Sequence, residues 1–446
     1  MRKFLSVFAT LALCASLAAC GSSSTSSGGG TSNPDASSGT SQAQTPVEIS
    51  FLVTKPEIVP QFQETFAKFS AEESHITISA IPLSGQTIYE KLTALYASKN
   101  APTITMVGGA EFSAFQENFL DVTNTAFAQK VYDWAKPKST VDGKLLAVPT
   151  TAEGIGITYN QTVIEAATGR AFDPASIKNR KDFAALLEEI SKTEYAPVQL
   201  SNMDWLLGSH LTSVLFGAVS PDHAARQDVI AASKNGTYDF ASSEAFNGFM
   251  DTFDLMMKYN AHKDSPLASA YEDDQMSMAS DEVAFWPIGN YVYPNILAAN
   301  PDAKVGLMPY PMGDSDDTYG NKEIVLTYSM FAIDGKQSSE AQQKAAISFF
   351  DWLVTSDAGQ DAYINTLQFT PVYKDFRVEV STDAAKQLNA FMEAGNTLDR
   401  MSDYYPAGAM NLFGATMQQY LDGVVTREQV ADQFAKDWKE SAAKQQ

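Results

Sequence analysis

The chain has 446 residues, of which 44% are hydrophobic and 11% aromatic, a composition that excludes a disordered chain, a disulfide miniprotein and a collagen-like fibre. Lysine and arginine number 31 against 53 aspartate and glutamate residues. The resulting net charge of -22 argues against a nucleic-acid partner, because phosphate binding needs clustered positive charge. The two cysteines, Cys14 and Cys20, lie near the N-terminus, so a disulfide framework, a thiolate zinc site and a cysteine nucleophile are excluded beyond position 20.

The N-terminus predicts an export signal followed by a lipid attachment site. Two basic residues precede an apolar run from Phe4 to Leu17, which is too short for a membrane-spanning helix of ~20 residues. The sequence Leu17-Ala18-Ala19-Cys20 resembles the lipobox of bacterial lipoproteins, whose cysteine becomes the acylated N-terminus of the mature chain. Residues 1–19 are therefore predicted to be a lipoprotein signal peptide. The alternative is an ordinary signal peptide with an incidental cysteine.

Residues 20–46 are predicted to be the acylated cysteine and a flexible linker. The stretch is mostly glycine, serine and threonine, with Asp35 as its single charge and no aromatic residue, so it cannot form a core. A flexible chain of this length has an end-to-end distance of roughly 25 to 31 Å. That reach is enough to keep a globular body just off a membrane surface.

From Pro46 onward, hydrophobic periodicity predicts alternating strands and helices. Three stretches have β character: Ile49 to Thr54, Ile76 to Ala80, and Thr103 to Val107. Helical stripes lie between them: Phe62, Phe66 and Phe69, then Ile88, Leu92 and Leu95. This βαβαβ order favours a parallel sheet flanked by helices.

A second α/β unit is predicted from about Gly154 onward. Alternation at Ile155, Ile157 and Tyr159 predicts one strand, and three later stretches predict further strands: Ala196 to Leu200, Val283 to Pro287, and Val305 to Met308. Aromatic stripes at helical spacing recur through the rest of the chain, and a capping box at Thr426 to Gln429 opens the last helix. The part of the chain from residue 46 onward is longer than a domain with a single hydrophobic core usually is. This length favours two or more structural units.

Motifs of catalysis and metal binding are weak. The sequence has no Gly-x-Ser-x-Gly elbow and no Walker loop, and the Ser441 to Lys444 match to Ser-x-x-Lys lies near the C-terminus. The four histidines, His75, His210, His223 and His262, show no metal-type spacing and are expected to be surface or packing residues. Asp314, Asp316 and Asp317 fit a solvated acidic turn better than an EF-hand, because Tyr319 and Val325 occupy the positions of its glycine and glutamate.

Four stretches resemble the extracellular solute-binding proteins of bacterial ABC importers, in the sugar-binding group that includes maltose-binding protein. They are VDGKLLAVPTTAEGIGITYN from Val141, SDEVAFWPIGNYVYPNI from Ser280, VGLMPYPMG from Val305 and FFDWLVTSDAGQDAYI from Phe349. Each is loose, but they occur in the order of the family over nearly the whole mature chain. One departure is Tyr291, where the family more often has tryptophan, which leaves less surface for stacking on a sugar.

The resemblance implies an α/β fold of the periplasmic-binding-protein type, in which two α/β lobes are joined by a multi-strand hinge with a ligand cleft between them. It puts residues 47–152 and 328–370 in lobe 1 and residues 153–323 and 375–446 in lobe 2. The hinge crossings are then residues 324–327 and 371–374.

The implied function is that of a lipid-anchored, extracytoplasmic solute-binding component of an ABC importer, not an enzyme. The expected ligand is a carbohydrate, and among carbohydrates an oligosaccharide. The protein closes on it by hinge bending and delivers the sugar to the permease subunits. The resemblance implies a monomer without cofactor or metal, attached to the cell membrane through lipid on Cys20.

Candidate ligand contacts follow from a separate argument, because ligands of open α/β sheets collect beyond the carboxyl ends of strands. The loops at those ends carry carboxylates, amides and aromatic rings, the groups that bind sugar hydroxyls and the apolar faces of sugar rings. We predict ligand contact for Trp205, Tyr291, Asp204, Glu111, Glu57, Asn290 and Trp286. The alternative for the aromatic residues is a half-buried core position, and for the others a solvated or capping role.

Two other functions stay open on the sequence. The same architecture could bind a peptide, a metal complex or a polyamine, and a polyamine would suit the many acidic side chains. An exported glycosidase is the alternative of another class, because its paired carboxylates cannot be recognised without their spatial separation.

Overall fold

A computed structural model describes residues 45–380, 383–406 and 408–444, without the side chains of Glu57 and Trp134. The predicted signal peptide, Cys20 and the linker up to residue 44 lie outside the described residues. In the described ranges, no helix combines the length and the apolar character that a membrane crossing requires.

The described strands form two main sheets and two small ones. The strands are β1 (Val47–Val53), β2 (Ile76–Pro82), β3 (Ile104–Val107), β4 (Thr140–Val141), β5 (Lys144–Leu145), β6 (Val148–Pro149), β7 (Glu153–Ile155), β8 (Ile157–Asn160), β9 (Ala196–Val198), β10 (Val283–Trp286), β11 (Val305–Met308), β12 (Ile324–Thr327), β13 (Met330–Ile333) and β14 (Thr397–Asp399). Their orders are β2-β1-β3-β13-β6, β11-β8-β10-β9, β14-β12-β7 and β4-β5.

Helices pack against the strands of the main sheets. They are α1 (Val59–Glu72), α2 (Ile88–Ala97), α3 (Gly109–Phe115), α4 (Ala126–Lys130), α5 (Gln161–Thr168), α6 (Arg180–Ile190), α7 (Thr212–Gly217), α8 (His223–Lys234), α9 (Glu244–Lys258), α10 (Tyr271–Ala279), α11 (Tyr293–Ala299), α12 (Glu340–Thr355), α13 (Asp357–Asp361), α14 (Asp383–Glu393), α15 (Ala409–Leu421) and α16 (Arg427–Ala443). A π-helical segment, Leu206–Leu211, precedes α7.

Lobe 1 is built on the five-stranded sheet. β1 pairs in parallel with β2 and β3, as the βαβαβ pattern predicts. On the other side of β3 lies β13, which is antiparallel to both β3 and β6. Phe51 on β1 is fully buried, and its ring lies 5.1 Å from that of Phe62 on α1 and 5.6 Å from that of Phe331 on β13. A strand from far along the chain therefore completes the core that the N-terminal segment begins.

Lobe 2 is built on the four-stranded sheet, in which β10 runs parallel to β9 and antiparallel to β8. The prediction of one strand through Ile155, Ile157 and Tyr159 is wrong: the chain breaks at Gly156 into β7 and β8, which belong to different sheets. A Cβ atom at Gly156 would lie 2.4 Å from the carbonyl oxygen of Met308, so only glycine fits this close approach.

The third sheet, β14-β12-β7, lies where the chain passes between the lobes. β6 belongs to lobe 1 and β7, four residues later, to this sheet; β12 of the same sheet is followed directly by β13 of lobe 1. The chain passes between the lobes once more after Thr370. Thr370 forms a β-bridge with Ala152, and α14, which follows, packs on β11 of lobe 2. The exact limits of lobes and hinge given above stay a prediction.

The capping box and the aromatic stripe predicted for the last helix are confirmed. Thr426 accepts from the backbone N–H of Gln429, whose side chain accepts from the backbone of Thr426, so the predicted capping box opens α16. Phe434 and Trp438 on the same helix are fully buried against Phe413 of α15. The aromatic stripes of the C-terminal part are core, as their spacing predicts.

Candidate functional site

A cleft of about 850 Å³ lies where strand ends of the two lobes face each other. Lobe 1 contributes Lys55 after β1, Gln86 after β2 and Glu111 after β3. Lobe 2 contributes aromatic and amide side chains: Trp205, His210, Tyr271, Gln275, Tyr291 and Asn295. The cleft therefore occupies the place that the carboxyl ends of strands predict.

Four rings of lobe 2 form one side of this cleft, and we call them the aromatic wall: Trp205, His210, Tyr271 and Tyr291. The centroid of the Trp205 ring lies 5.1 Å from that of His210, 5.8 Å from that of Tyr271 and 6.2 Å from that of Tyr291. The Tyr291 hydroxyl is 2.9 Å from Nδ1 of His210. The wall offers a continuous apolar surface with a few polar edges.

The backbone that carries Trp205 and His210 is shaped by a close contact between helices. A Cβ at Gly208 would lie 2.1 Å from the carbonyl oxygen of Met410, and a Cβ at Gly414 would lie 2.5 Å from that of Asp204. In the π-helical segment the turn contains one residue more than in an α-helix, so residues five apart come to the same side. Trp205 and His210 have this spacing, and both face the cleft.

Burial keeps the polar members of the wall uncharged. Desolvation lowers the pKa of His210 well below its usual value, and the positive charges of Arg400 and Lys55 lower it further. Desolvation raises the pKa of Tyr291 well above its usual value, with Tyr271 the next cause. Near neutral pH both groups are neutral, so they form an ordinary hydrogen bond and not an ion pair.

Charged groups of the cleft are mostly paired. Lys55 of lobe 1 forms an ion pair with Glu153 on β7, and its Nζ lies 5.9 Å from the ring centroid of Tyr291. Arg400 donates through Nη1 to Thr327 Oγ1 at 3.2 Å and through Nε to Ser402 Oγ at 3.1 Å. These pairings leave a cleft of mixed charge with carboxylate acceptors and no concentrated positive patch, which suits an uncharged ligand better than an anion.

Three of the predicted ligand contacts come together in the cleft: Trp205, Tyr291 and Glu111. Trp286 has another place, because it is fully buried and its Nε1 donates to Ser201 Oγ at 2.7 Å. Its ring centroid is 6.0 Å from that of Tyr271, so it packs behind the aromatic wall.

Asp204 and Asn290 lie beside the cleft. Asp204 is exposed and its carboxylate accepts from the backbone N–H of Trp205 at 2.7 Å. Asn290 accepts from the N–H of Gly154 at 2.9 Å and lines a smaller cavity of about 40 Å³ that Tyr291 also borders. The side chain of Glu57 lies outside the described residues. Ligand contact by any of the seven residues stays a prediction.

Sequence reasoning missed several cleft residues: His210, Tyr271, Gln275, Asn295, Glu153 and Arg400. His210 was expected to be a surface or packing residue, and it is a half-buried member of the wall. Tyr271 and Gln275 lie on α10, and nothing in the periodicity of that helix indicates which side faces a cleft. Arg400 follows β14, a strand that sequence reasoning did not predict.

The acidic turn near Asp314 is engaged in protein contacts. Asp314 pairs with Arg180 at 2.9 Å and Asp316 accepts from Asn179 Nδ2 at 2.6 Å. Across the described part of the chain, no group of three or more histidine, cysteine or acidic side chains is arranged to bind a metal ion.

Comparison with known proteins adds a family match. A family model described as bacterial extracellular solute-binding protein matches residues 55–360. The Multiple sugar-binding protein of Streptococcus mutans serotype c is 20% identical over 340 residues, which cover 73% of this chain and 76% of that protein.

Solved structures are similar in fold. The solute-binding protein RafE in complex with raffinose has a TM-score of 0.74 and 16% identity, over 89% of this chain and 100% of that chain. A sugar transporter protein from Bacillus licheniformis in complex with stachyose has a TM-score of 0.68 and 17% identity, over 89% of this chain and 100% of that chain. These likenesses confirm the predicted fold of two α/β lobes with a cleft between them.

Proposed function

Since the chain belongs to the family of bacterial extracellular solute-binding proteins, we propose that it binds a carbohydrate in the cleft between its lobes, as the sugar-binding component of an ABC importer. The observation that carries the proposal is the aromatic wall next to carboxylate and amide side chains. The similar proteins also support a carbohydrate ligand. One is a Multiple sugar-binding protein, and two solved structures contain raffinose and stachyose.

The chemistry of the cleft fits an oligosaccharide. A sugar ring has an apolar face of C–H groups, which packs on aromatic rings, and hydroxyls, which pair with carboxylates and amides. Trp205, Tyr271 and Tyr291 supply the rings, and Glu111 and Gln275 supply polar groups from opposite lobes. A volume of about 850 Å³ is sufficient for more than one sugar ring, since small-molecule pockets measure about 300–1,000 Å³.

Binding is coupled to closure by hinge bending. A ligand shifts the balance of open and closed forms only by its difference in affinity for them, so it must contact both lobes in the closed form. Glu111 and Lys55 on lobe 1 and the aromatic wall on lobe 2 provide those contacts. The closed form, as a monomer, is then the state recognised by the permease, and no bond of the sugar is broken.

A thermal-shift screen tests the proposal. Raffinose, stachyose, a chitin oligosaccharide, maltose and glucose are tested beside spermidine and a tripeptide, with mannitol as control for nonspecific stabilisation. At a hundredfold excess over Kd a bound sugar stabilises the folded chain by about 2.7 kcal/mol, so at least one oligosaccharide should raise the melting temperature. Product analysis of the same mixtures should show intact sugar. A response to spermidine alone, or cleavage of an oligosaccharide, contradicts the proposal.

The mature protein is proposed to be attached to the cell membrane through lipid on Cys20. The lipobox Leu17-Ala18-Ala19-Cys20 and the glycine- and serine-rich linker support this. A net charge of -22 makes electrostatic attachment to an anionic membrane surface unfavourable, so lipid is the force that remains.

Substitution of Cys20 tests the anchor. We expect Cys20→Ala to move the protein from the membrane fraction to the soluble extracytoplasmic fraction, as followed by immunoblotting. Cys14→Ala is the matched control, because Cys14 lies within the apolar run and precedes the predicted cleavage site. Membrane association of Cys20→Ala equal to that of Cys14→Ala would show that the lipobox assignment is wrong.

A further inference from the structure

A buried acid lies directly behind the aromatic wall. Asp274 is on α10, the helix that also carries Tyr271 and Gln275, and it is 0% exposed. Carboxylates are almost never fully buried unless they are paired, because loss of hydration is costly. The role of Asp274 must therefore be sought in its partners.

Three side chains contact Asp274. The hydroxyl of Ser201 donates to Oδ2, and Nε2 of His262 lies 3.1 Å from Oδ1. The side chain of Gln199 donates through Nε2 to the backbone carbonyl of Asp274 at 2.8 Å. The carboxylate therefore connects α10 with the segment after β9 and with the loop before α10.

These partners lead to the aromatic wall. Ser201 precedes Trp205 by four residues, and its hydroxyl also accepts the indole N–H of Trp286 at 2.7 Å. The Trp286 ring lies 6.0 Å from that of Tyr271, which in turn lies 5.8 Å from that of Trp205. One buried carboxylate thus connects the backbone segments of two rings that face the cleft.

The neighbouring residue, Gln275, brings an amide without a full set of partners to the cleft. Gln275 is 7% exposed, and its Oε1 accepts from Asn295 Nδ2 at 3.1 Å, which fixes the orientation of the amide. Its Nε2 has no hydrogen-bond partner among the described residues, although Gln275 lines the cleft. An unpaired buried donor is costly, so pairing of Gln275 Nε2 with a ligand oxygen would be favourable. The position of α10 determines whether a ligand oxygen can reach this donor.

We infer that Asp274 is a positioning residue for ligand binding, a role that rests on the proposed carbohydrate function: its ionised carboxylate fixes α10 against the segment of Trp205, and affinity falls when that carboxylate is neutralised. Asp274 touches no ligand. It acts through Tyr271, Gln275 and Trp205, whose relative positions depend on its hydrogen bonds.

The charges around Asp274 set the direction of the pH dependence. Burial raises the pKa of Asp274, while Ser201 and His262 oppose the rise, and Asp273 on the same helix adds a small increase. Lys263 and Asp264 of the loop before α10 are exposed, and β10 and α11 present no charged side chain. Affinity should therefore decrease as pH falls through the raised pKa of Asp274.

Stability should respond with the opposite sign. A folded-state pKa above the unfolded value means that the folded chain binds the proton more readily, so this group stabilises the fold as pH falls. The contribution of Asp274 to stability and its contribution to affinity therefore change in opposite directions with pH. A residue that only maintained the fold would lower affinity and stability together.

Hydrogen exchange of the ligand-free protein tests the positioning role. Asp274→Asn should lower the protection factors of amides in α10 and in residues 201–205 by about tenfold, on the size of a hydrogen bond to a charged group. Asp273→Asn is the matched control, since Asp273 is adjacent and exposed. Ser201→Ala, which removes one partner and keeps the charge, is the second variant and should show a smaller decrease in the same segments. Unchanged protection in both variants overturns the inference.

Calorimetry with raffinose as the probe measures the effect of Asp274 on ligand affinity. Between about pH 4 and 8 the wild-type affinity should fall on acidification. Asp274→Asn should bind about tenfold more weakly at neutral pH and lack this decrease. Asp273→Asn should bind like the wild type at neutral pH and keep the decrease, displaced to lower pH because Asp273 no longer raises the pKa of Asp274. Equal pH profiles in wild type and Asp274→Asn overturn the inference. If raffinose does not bind the wild type, the choice of this sugar fails, and the same pH profiles are measured with the sugar found in the thermal-shift screen.

Discussion

Alanine at Trp205 is expected to weaken carbohydrate binding by about 1–3 kcal/mol, which corresponds to roughly 5- to 160-fold in Kd. The indole ring is half-buried and lies within 6.2 Å of three other rings of the aromatic wall. Its removal takes away apolar surface on which a sugar can pack. The hydrophobic core beneath it, from Leu206 onward, keeps its contacts, so the fold should stay intact.

Tyr291→Ala should have an effect of the same size. It removes a second ring and the hydroxyl that pairs with His210. Isothermal titration calorimetry with the sugar found in the thermal-shift screen measures both variants. Tyr132→Ala is the control, because Tyr132 is a partly exposed aromatic residue of lobe 1 that does not line the cleft. Unchanged affinity in both cleft variants would refute the site assignment.

Gly414→Val should destabilise the protein by about 1–3 kcal/mol or more and also reduce sugar affinity. A Cβ at Gly414 would lie 2.5 Å from the carbonyl oxygen of Asp204 and 2.8 Å from its Cα. The obstacle is backbone and cannot rotate away, so α15 or the segment that carries Trp205 must shift. Replacing glycine within a helix normally gains helix propensity, but the clash is larger than that gain.

The adjacent position supplies the control for this substitution. Ala415 is exposed on the same helix, and Ala415→Val introduces the same β-branched side chain without the clash. Urea unfolding gives the stability of both variants, and calorimetry gives their affinity. If Gly414→Val unfolds at the same urea concentration as Ala415→Val, the contact between α15 and the π-helical segment does not constrain the site.

The N-terminal half of lobe 1 could be predicted closely from its sequence. Phe62, Phe66 and Phe69 recur at helical spacing, and the flanking β-rich stretches correspond to β1 and β2. Such signals are local, since they depend on neighbours a few residues away. The antiparallel strand β13 pairs with β3 from a distant part of the chain, and no local pattern indicates that pairing.

Local reasoning failed at Gly156 for the same physical reason. Ile155, Ile157 and Tyr159 alternate as in one strand, yet the residues between them, Gly156 and Thr158, are buried as well, and β7 and β8 lie in different sheets. Full burial removes the polar face on which the period-two signal depends. The glycine between them gave the only hint of a break.

The candidate site could be predicted where residues follow strands. Glu111 and Tyr291 both lie in short segments beyond a strand end, and the structure brings them into one cleft. Tyr271 and Gln275 lie on a helix whose cleft side depends on tertiary packing alone. Trp286 shows the converse error, because a tryptophan near a strand end can equally be a support buried behind the site.

The position of β13 in the five-stranded sheet has a consequence for how the chain matures. Phe331 of β13 pairs with Met106 on one side and with Val148 on the other, so this strand separates β3 from β6. A chain that emerges from its N-terminus cannot complete this sheet until β13 has followed, and long-range pairings form slowly. Until β13 has been synthesised, the edge of β3 that it covers has no partner strand, and an unpaired strand edge favours aggregation.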